Sequence, residues 1–428
     1  MKILNSNSKN FDKLLDNLLS KRKQKLKASS VSVTKIINDV KKNGDKALLK
    51  YERRFNKNNI IVPSVKQINK SIKSLDKKVK KAIDDAYNRI YKFHSFQKFK
   101  DISYRDKYKN KIDYKHLPLE SVAIYVPGST ASYPSTVLMN AIPAIVGKVK
   151  RIVMINPGYK GNQNPAVLYA AKKCKIKEIY SIGGASAIAA VAYGTKKIRP
   201  VNKVIGPGNQ FVSAAKKEVS GDIGIEAMTA GPSEVLIVAD KSSNPEWLAS
   251  DLLGQAEHDQ LAQCILISKD KIILEKTKKE VFEQLKNLPR SSIAKKSLMM
   301  NGILIYANSD KKIIEITNKI GPEHLELNVK NYKSFVAKIK NAGSVCLGKY
   351  AVMAMTDYGA PGSNHVLPTN MTSKYSSGLN VSEFMKKISY ITLSKKGIDK
   401  LGPSAITLAN YEGLVGHAQS VIKRIGRK

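Results

Sequence analysis

The sequence predicts an α/β fold of two doubly wound, Rossmann-like sheet domains, with helical segments before and after them. Three observations carry this. At 428 residues the chain exceeds one ordinary core, so two units of roughly 100 to 150 residues plus appendages are expected. Short apolar runs alternate with stretches of helical period from Ser121 to about Val219, and the alternation starts afresh at Glu234. Buried strands alternating with amphipathic helices build parallel sheets. No internal repeat of about 20 to 50 residues is present, which excludes a solenoid.

Taken in order, residues 1–30 form a helical arm, because Phe11, Leu14, Leu15, Leu18 and Leu19 share one face of a short amphipathic helix. Residues 31–120 are a helical lead-in expected to pack on the second sheet domain. Its period is set by Val33, Ile36, Ile37 and Val40, then by Val65, Ile68, Ile72, Leu75 and Val79, before a Lys- and Tyr-rich stretch without clear period at 95–119. The first sheet domain, 121–233, has strands at 121–126, 151–155, 178–182 and 202–205, with helices near 135–147, 165–173, 185–194 and 210–219. The second, 234–378, has strands at 234–239, 264–268 and 302–307, with helices near 245–257, 271–285 and 311–320. Residues 355–378 are rich in Gly, Pro and Ser, the mark of a long loop, and long loops carry function more often than stability. Residues 379–428 return to helical spacing around 382–385 and 409–422.

Composition narrows the setting. Cys174, Cys264 and Cys346 are odd in number and far apart, so neither a disulfide framework nor a Cys-x-x-Cys metal site is available and a reducing cytoplasm is expected. No apolar run approaches the roughly 18 residues of a membrane span, and the N-terminus lacks a signal-peptide core. The formal charge of +40 invites a nucleic-acid reading through phosphate neutralisation. The excess is mostly Lys spread over the whole chain, with no Arg-rich arm or aromatic-interleaved basic cluster, and a solvated surface accounts for it.

Six histidines are present, and four sit in unusual surroundings: His258 in Gly254-Gln255-Ala256-Glu257-His258-Asp259, His324 in Gly321-Pro322-Glu323-His324, His365 in the Gly-rich loop, and His417 after Glu412-Gly413-Leu414-Val415-Gly416. A single His is more often structural than a ligand. Four beside carboxylates, Gly and Pro point to a shared site. Asp357 adds a carboxylate in the loop of His365, and Gln255, three residues before His258, shares its side of a helix. Imidazole and carboxylate suit Zn2+, with an amide oxygen as a weaker ligand. Neither standard nucleotide fingerprint is present. Gly-rich turns follow strands at Pro127-Gly128-Ser129, Gly183-Gly184-Ala185 and Gly206-Pro207-Gly208-Asn209; each could present N–H groups to an anion, or serve only as a tight turn.

Taken together, these segments resemble the histidinol dehydrogenase family. The likeness runs from Ser121 to the C-terminus and is carried by Tyr125-Val126-Pro127-Gly128, Ser135-Thr136-Val137-Leu138-Met139, Gly206-Pro207-Gly208-Asn209, Ala230-Gly231-Pro232-Ser233-Glu234, Gln255-Ala256-Glu257-His258, Gly321-Pro322-Glu323-His324-Leu325-Glu326, Asn364-His365-Val366-Leu367-Pro368-Thr369 and Glu412-Gly413-Leu414. The resemblance implies an intertwined homodimer oxidising L-histidinol to L-histidine with NAD and one Zn2+ per subunit. It implies Gln255, His258, Asp357 and His417 as zinc ligands, with Glu323 and His324 as the catalytic pair. Substrate contacts would add Ser233, His365 and Glu412, and the dinucleotide would meet Tyr125, Ser186 and Asn209. The C-terminal dimerisation segment, 379–428, would supply His417 and Glu412 in trans.

Three departures stand out. Ser186 replaces the family's Gln, the stretch from Asp357 to His365 is one residue longer than usual, and Ile225-Glu226-Ala227-Met228-Thr229 carries a similar extra residue. A related alcohol as substrate, a basic nucleic-acid-binding protein and a metallohydrolase needing no NAD are the competing readings.

Overall fold

The computed structural model describes residues 1–24, 30–128, 133–226 and 231–425. The chain opens with β1 (Lys2–Asn5) and α1 (Phe11–Gln24). Phe11, Leu15 and Leu19 are buried, whereas Leu14 is exposed, so the apolar seam of α1 is narrower than its composition suggests. That seam lies in the core of the second sheet beside Ile265, Ile303 and Leu325, which makes the arm part of that domain. Leu15→Ala is expected to cost about 2–5 kcal/mol, the range for emptying a fully buried Leu site; a urea midpoint unchanged from wild type would contradict this placement.

The lead-in comprises α2 (Ser30–Asn56), α3 (Val65–Lys73) and α4 (Lys77–Ser95), followed by β2 (Ile102–Arg105) and β3 (Lys111–Pro118). It was expected on the second sheet domain, and it packs on the first. Val33, Ile37, Val40 and Leu48 share a core with Ala123, Val153 and Ile188, while Ile83 and Ile90 join Val122, Ile124 and Met139. Periodicity fixes which helical face is apolar but says nothing of which sheet receives it. β2 and β3 replace the stretch without period: neither has a buried residue, and a strand without a buried face carries no alternation to read.

The first sheet domain follows the expected alternation: β4 (Ser121–Tyr125), α5 (Pro134–Val146), β5 (Arg151–Ile155), α6 (Pro165–Lys173), β6 (Glu178–Tyr180), α7 (Gly184–Tyr193), β7 (Lys203–Ile205), α8 (Gln210–Val219) and the short β8 (Gly224–Ile225). All strands are parallel in the order β6-β5-β4-β7-β8. The order reverses at β4, so a crevice opens beyond the carboxyl ends of β4 and β7, where doubly wound sheets bind ligands.

The second sheet domain contains β9 (Glu234–Ala239), α9 (Pro245–Ala256), β10 (Gln263–Ser268), α10 (Lys271–Leu285), α11 (Ser291–Asn301), β11 (Ile303–Tyr306), α12 (Asp310–Ile320), β12 (His324–Asn328), α13 (Lys333–Val336), β13 (Ser344–Leu347) and α14 (Met353–Asp357). Its order is β1-β11-β10-β9-β12-β13, again all parallel. The edge strand β1 and the strands β12 and β13 add to the three that the sequence predicts.

The helix expected around 382–385 is a 3-10 turn at Val381–Phe384 leading into β14 (Met385–Thr392), which pairs antiparallel with β3 in the small sheet β14-β3-β2. The chain ends in α15 (Lys395–Tyr411) and α16 (Val415–Ile422). In these two helices only Gly397, Gly402 and Ala418 are buried, so the pair projects from the body. Among the described residues no helix is long and apolar enough to cross a membrane, and Cys174, Cys264 and Cys346 are free and buried.

Candidate active site between the two sheets

A cleft of about 1180 Å³ runs between the sheet domains, lined by Tyr125, Asn209, Ser233, Gln255, His324 and Asp357 among others. The carboxyl ends of β4 and β7 form one wall. The opposite wall comes from the amino ends of β9 and β12, an inversion of the usual placement of ligands at strand carboxyl ends.

On the first wall, Tyr125 ends β4 and its buried hydroxyl accepts the Gly184 N–H at 3.0 Å. Asn209 caps α8, its side-chain oxygen accepting the Phe211 and Val212 N–H groups at 3.1 Å each. Gly206 has φ +112°, and a Cβ there would stand 2.3 Å from the Tyr125 carbonyl oxygen, so the turn admits only glycine. The buried Lys216 ammonium binds the Gly206 carbonyl and the carboxylate of Glu226, fixing the turn from behind. Sequence reasoning missed this pair, since one Lys among 74 Lys and Arg residues carries no distinguishing signal.

The Gly183-Gly184 turn serves as a tight turn only. Its N–H groups are consumed by the chain itself: Glu52 accepts from Gly183 at 2.8 Å and Tyr125 from Gly184. Burial pushes Glu52 up to about 7, against the pull of its bonds from Gly183 and Asn56. Ser186 is buried and donates to the Gly183 carbonyl at 3.1 Å, and it does not line the cleft. Of the two readings open for that turn, the tight turn holds and the anion site is closed, and Pro127-Gly128 and Pro207-Gly208-Asn209 face the cleft instead. Ser129, Ala230 and the stretch Ala227-Met228-Thr229 lie outside the described residues.

On the second wall, Gln255 lies in the last turn of α9, 1 % exposed, with neither amide atom finding a hydrogen-bond partner among the described residues. His258, expected on the same helix face, lies just beyond the helix end and is exposed to the cleft. Glu323 and His324 are buried where β12 begins, and Glu323 accepts the Glu234 N–H at 2.8 Å, which holds it against the start of β9. Asp357 ends α14, with Oδ1 3.6 Å from His324 Nε2. His365 donates from Nδ1 to the Asp357 carbonyl at 2.7 Å, because a carbonyl only accepts. That bond leaves its Nε2 as an acceptor. Ser233 lies on the cleft immediately before β9.

Burial governs the charges. His324 is pushed down to about 3 by desolvation, with His365 and His258 adding to the cost of a positive charge. Desolvation raises Asp357 to about 7, and it lowers His365 to about 4 against the opposing bond to the Asp357 carbonyl. An ion pair would move His324 and Asp357 the other way, so their 3.6 Å approach is the contact of a neutral imidazole with a carboxyl group whose charge is resisted by desolvation.

Glu412 and His417 are not in the cleft. Glu412 caps the end of α15 and His417 lies in the first turn of α16, both exposed, beside a separate recess shared with Leu408, Leu414 and Val421. Among the described residues, no group of three or more His, Cys, Asp or Glu is placed to hold a metal ion. Within one chain the anticipated zinc set reduces to Gln255, His258 and Asp357, only two of them of those types. The residues present nevertheless fit a divalent cation. A buried amide that no described residue partners, a half-buried aspartic acid whose ionisation desolvation resists and an imidazole satisfy one another poorly, and a cation would take up the amide oxygen and favour the carboxylate.

Comparison with known proteins gives a consistent answer. The family model described as histidinol dehydrogenase matches residues 19–425. A histidinol dehydrogenase of Pelagibacter ubique (strain HTCC1062) is 76 % identical over 428 residues, covering 100 % of both chains. One from Brucella abortus (strain 2308) is 45 % identical over 92 % of each. The crystal structure of histidinol dehydrogenase from Elizabethkingia anophelis superposes with a TM-score of 0.93 at 38 % identity, covering 99 % of this chain and 98 % of that one.

Proposed function

The chain belongs to the histidinol dehydrogenase family, and from that premise we propose that it oxidises L-histidinol through L-histidinal to L-histidine, the last step of histidine biosynthesis. The observation that carries the reading is the cleft wall where an uncharged His324, a fixed Glu323 and the partnerless amide of Gln255 meet. Zn2+, held by Gln255, His258, Asp357 and His417, would supply a fixed positive centre that orients the substrate through its amine and imidazole nitrogens. NAD+ supplies the hydride acceptor in both oxidations.

The residues then divide the proton work. His324, neutral at physiological pH, takes the alcohol proton as the carbinol carbon is oxidised. Glu323 takes a proton from the water that adds to the aldehyde, and His324 takes another as the hydrate is oxidised. Ser233, His365 and Glu412 contact the substrate. Tyr125 and Asn209 face the dinucleotide, while Ser186, turned from the cleft, would act only through the turn it closes. The site is completed in a homodimer, with Glu412 and His417 reaching across from the second subunit.

The expected outcome is two NADH per histidinol consumed, abolished by a strong chelator and restored by Zn2+. A purified, zinc-loaded protein that reduces no NAD+ with histidinol overturns the proposal. Much higher kcat/KM for another alcohol overturns the substrate assignment alone.

A further inference from the structure

Behind the second cleft wall, Asp251 and Glu326 meet side by side. Asp251 lies on α9 one helical turn before Gln255, and Glu326 lies on β12 two residues past His324, on the same face of the strand. Their carboxyl groups are in hydrogen-bond contact with each other. Glu326 also accepts the backbone N–H of Met353 at 2.7 Å, at the start of the short helix that ends in Asp357.

One oxygen of each group, Asp251 Oδ2 and Glu326 Oε2, is buried and, among the described residues, receives no N–H donor, so only a proton between the two carboxyls can join them. Among the described residues no Lys, Arg or His forms an ion pair with either. The other titratable groups facing the pair are Asp357 on α14 and Cys346 on β13, the thiol pushed up to about 12 by burial and by these same carboxylates. Two adjacent carboxylates in such surroundings cannot both be ionised. Burial and their mutual repulsion raise the pair above the ordinary carboxylate range.

We propose that Asp251 and Glu326 share one proton and act as a positioning pair, tying α9, β12 and the start of α14 so that Gln255, His324 and Asp357 keep a common spacing. The hydrogen bond from a carboxylic acid to a carboxylate is among the strong kinds, and it joins the three segments that carry the wall. The sharing of the proton stands on the pair's own geometry. Its consequence for metal affinity rests on the function proposed above.

The test compares full-length, zinc-loaded wild type with Glu326→Gln and Glu326→Ala. Gln supplies a permanent N–H to Asp251 and an oxygen to Met353, reproducing the protonated acid. The wild-type-minus-Glu326→Gln infrared difference should contain a protonated-carboxyl C=O band at neutral pH, which separates the pair from Glu52. The folded pair holds its proton more tightly than the unfolded chain. Its stabilisation is therefore complete at acid pH and is lost as pH rises through the raised value, so the wild-type Tm should fall on the alkaline side and Glu326→Gln should flatten that fall. Glu326→Ala should weaken zinc binding about 10–100-fold, and Glu326→Gln should leave it within a few-fold. Absence of the band, or a loss of zinc in Glu326→Gln as large as in Glu326→Ala, overturns the proposal. Wild type that binds no zinc would instead sink the metal reading, with the band still deciding the shared proton.

Discussion

His324→Asn lowers kcat for both oxidations by about 10²–10⁴-fold, the worth of a positioned general base, with KM for histidinol changed only a few-fold. The expectation follows from where the side chain is held. β12 starts at His324, buried on the cleft, and its Nδ1 has no partner among the described residues. Burial keeps the ring uncharged, and the neighbouring His365 and His258 reinforce this. A depressed histidine pKa leaves the acceptor form in place across about pH 5 to 8, the range in which an ordinary His would switch, so His324 should contribute no acid limb to kcat/KM there. Asn keeps much of the shape and some hydrogen bonding but cannot accept and release a proton. Glu323→Gln provides the contrast. Its carboxylate is held by the Glu234 N–H and is asked only to activate water, so the first NADH should form at a near-normal rate and the second should be lost. Rapid-mixing measurement of NADH per site separates the two variants: one NADH from Glu323→Gln and almost none from His324→Asn. Full kcat in His324→Asn would remove it from the mechanism.

What was legible in the sequence tracks burial. Strands such as Arg151–Ile155 and Glu234–Ala239 were predicted at their observed bounds because their buried faces leave continuous apolar runs between turns. β12 was missed for the reason that makes it interesting: in His324-Leu325-Glu326-Leu327-Asn328 one face carries polar side chains into a buried site, which breaks the pattern a core strand would show. β3 and β14 pair with each other and have no buried residue, so they left no alternation at all.

The site was legible as a set of motifs and not as a geometry. Gln255, Glu323, His324, Asp357 and His365 do line one cleft. The closed Gly183-Gly184 turn was invisible because Glu52, which occupies it, is 131 residues away. The Asp251–Glu326 contact joins residues 75 positions apart that match no motif, and only the fold discloses it.

Coexpressing His417→Ala with Glu323→Gln should restore about a quarter of wild-type activity although each variant alone is nearly inactive, if the dimer completes each site with the other subunit's tail. The structure supplies the motive. Glu412 and His417 lie outside the cleft, at the end of α15 and in the first turn of α16, on helices that leave Leu408, Tyr411 and Val415 at 61, 92 and 59 % exposure. Apolar groups so exposed along one segment mark a surface that another chain covers. In a mixed dimer, the body of the His417→Ala chain carries intact Glu323 and receives the intact tail of the Glu323→Gln chain, giving one wild-type site. The other site combines both defects and is dead. Random pairing makes about half the dimers mixed, each with one of two sites working, which yields about a quarter. Completion in cis would give no recovery at any mixing ratio, because each chain would keep its own lesion. Titrating the ratio of the two chains at fixed total concentration therefore distinguishes the arrangements, with recovery greatest at equal amounts.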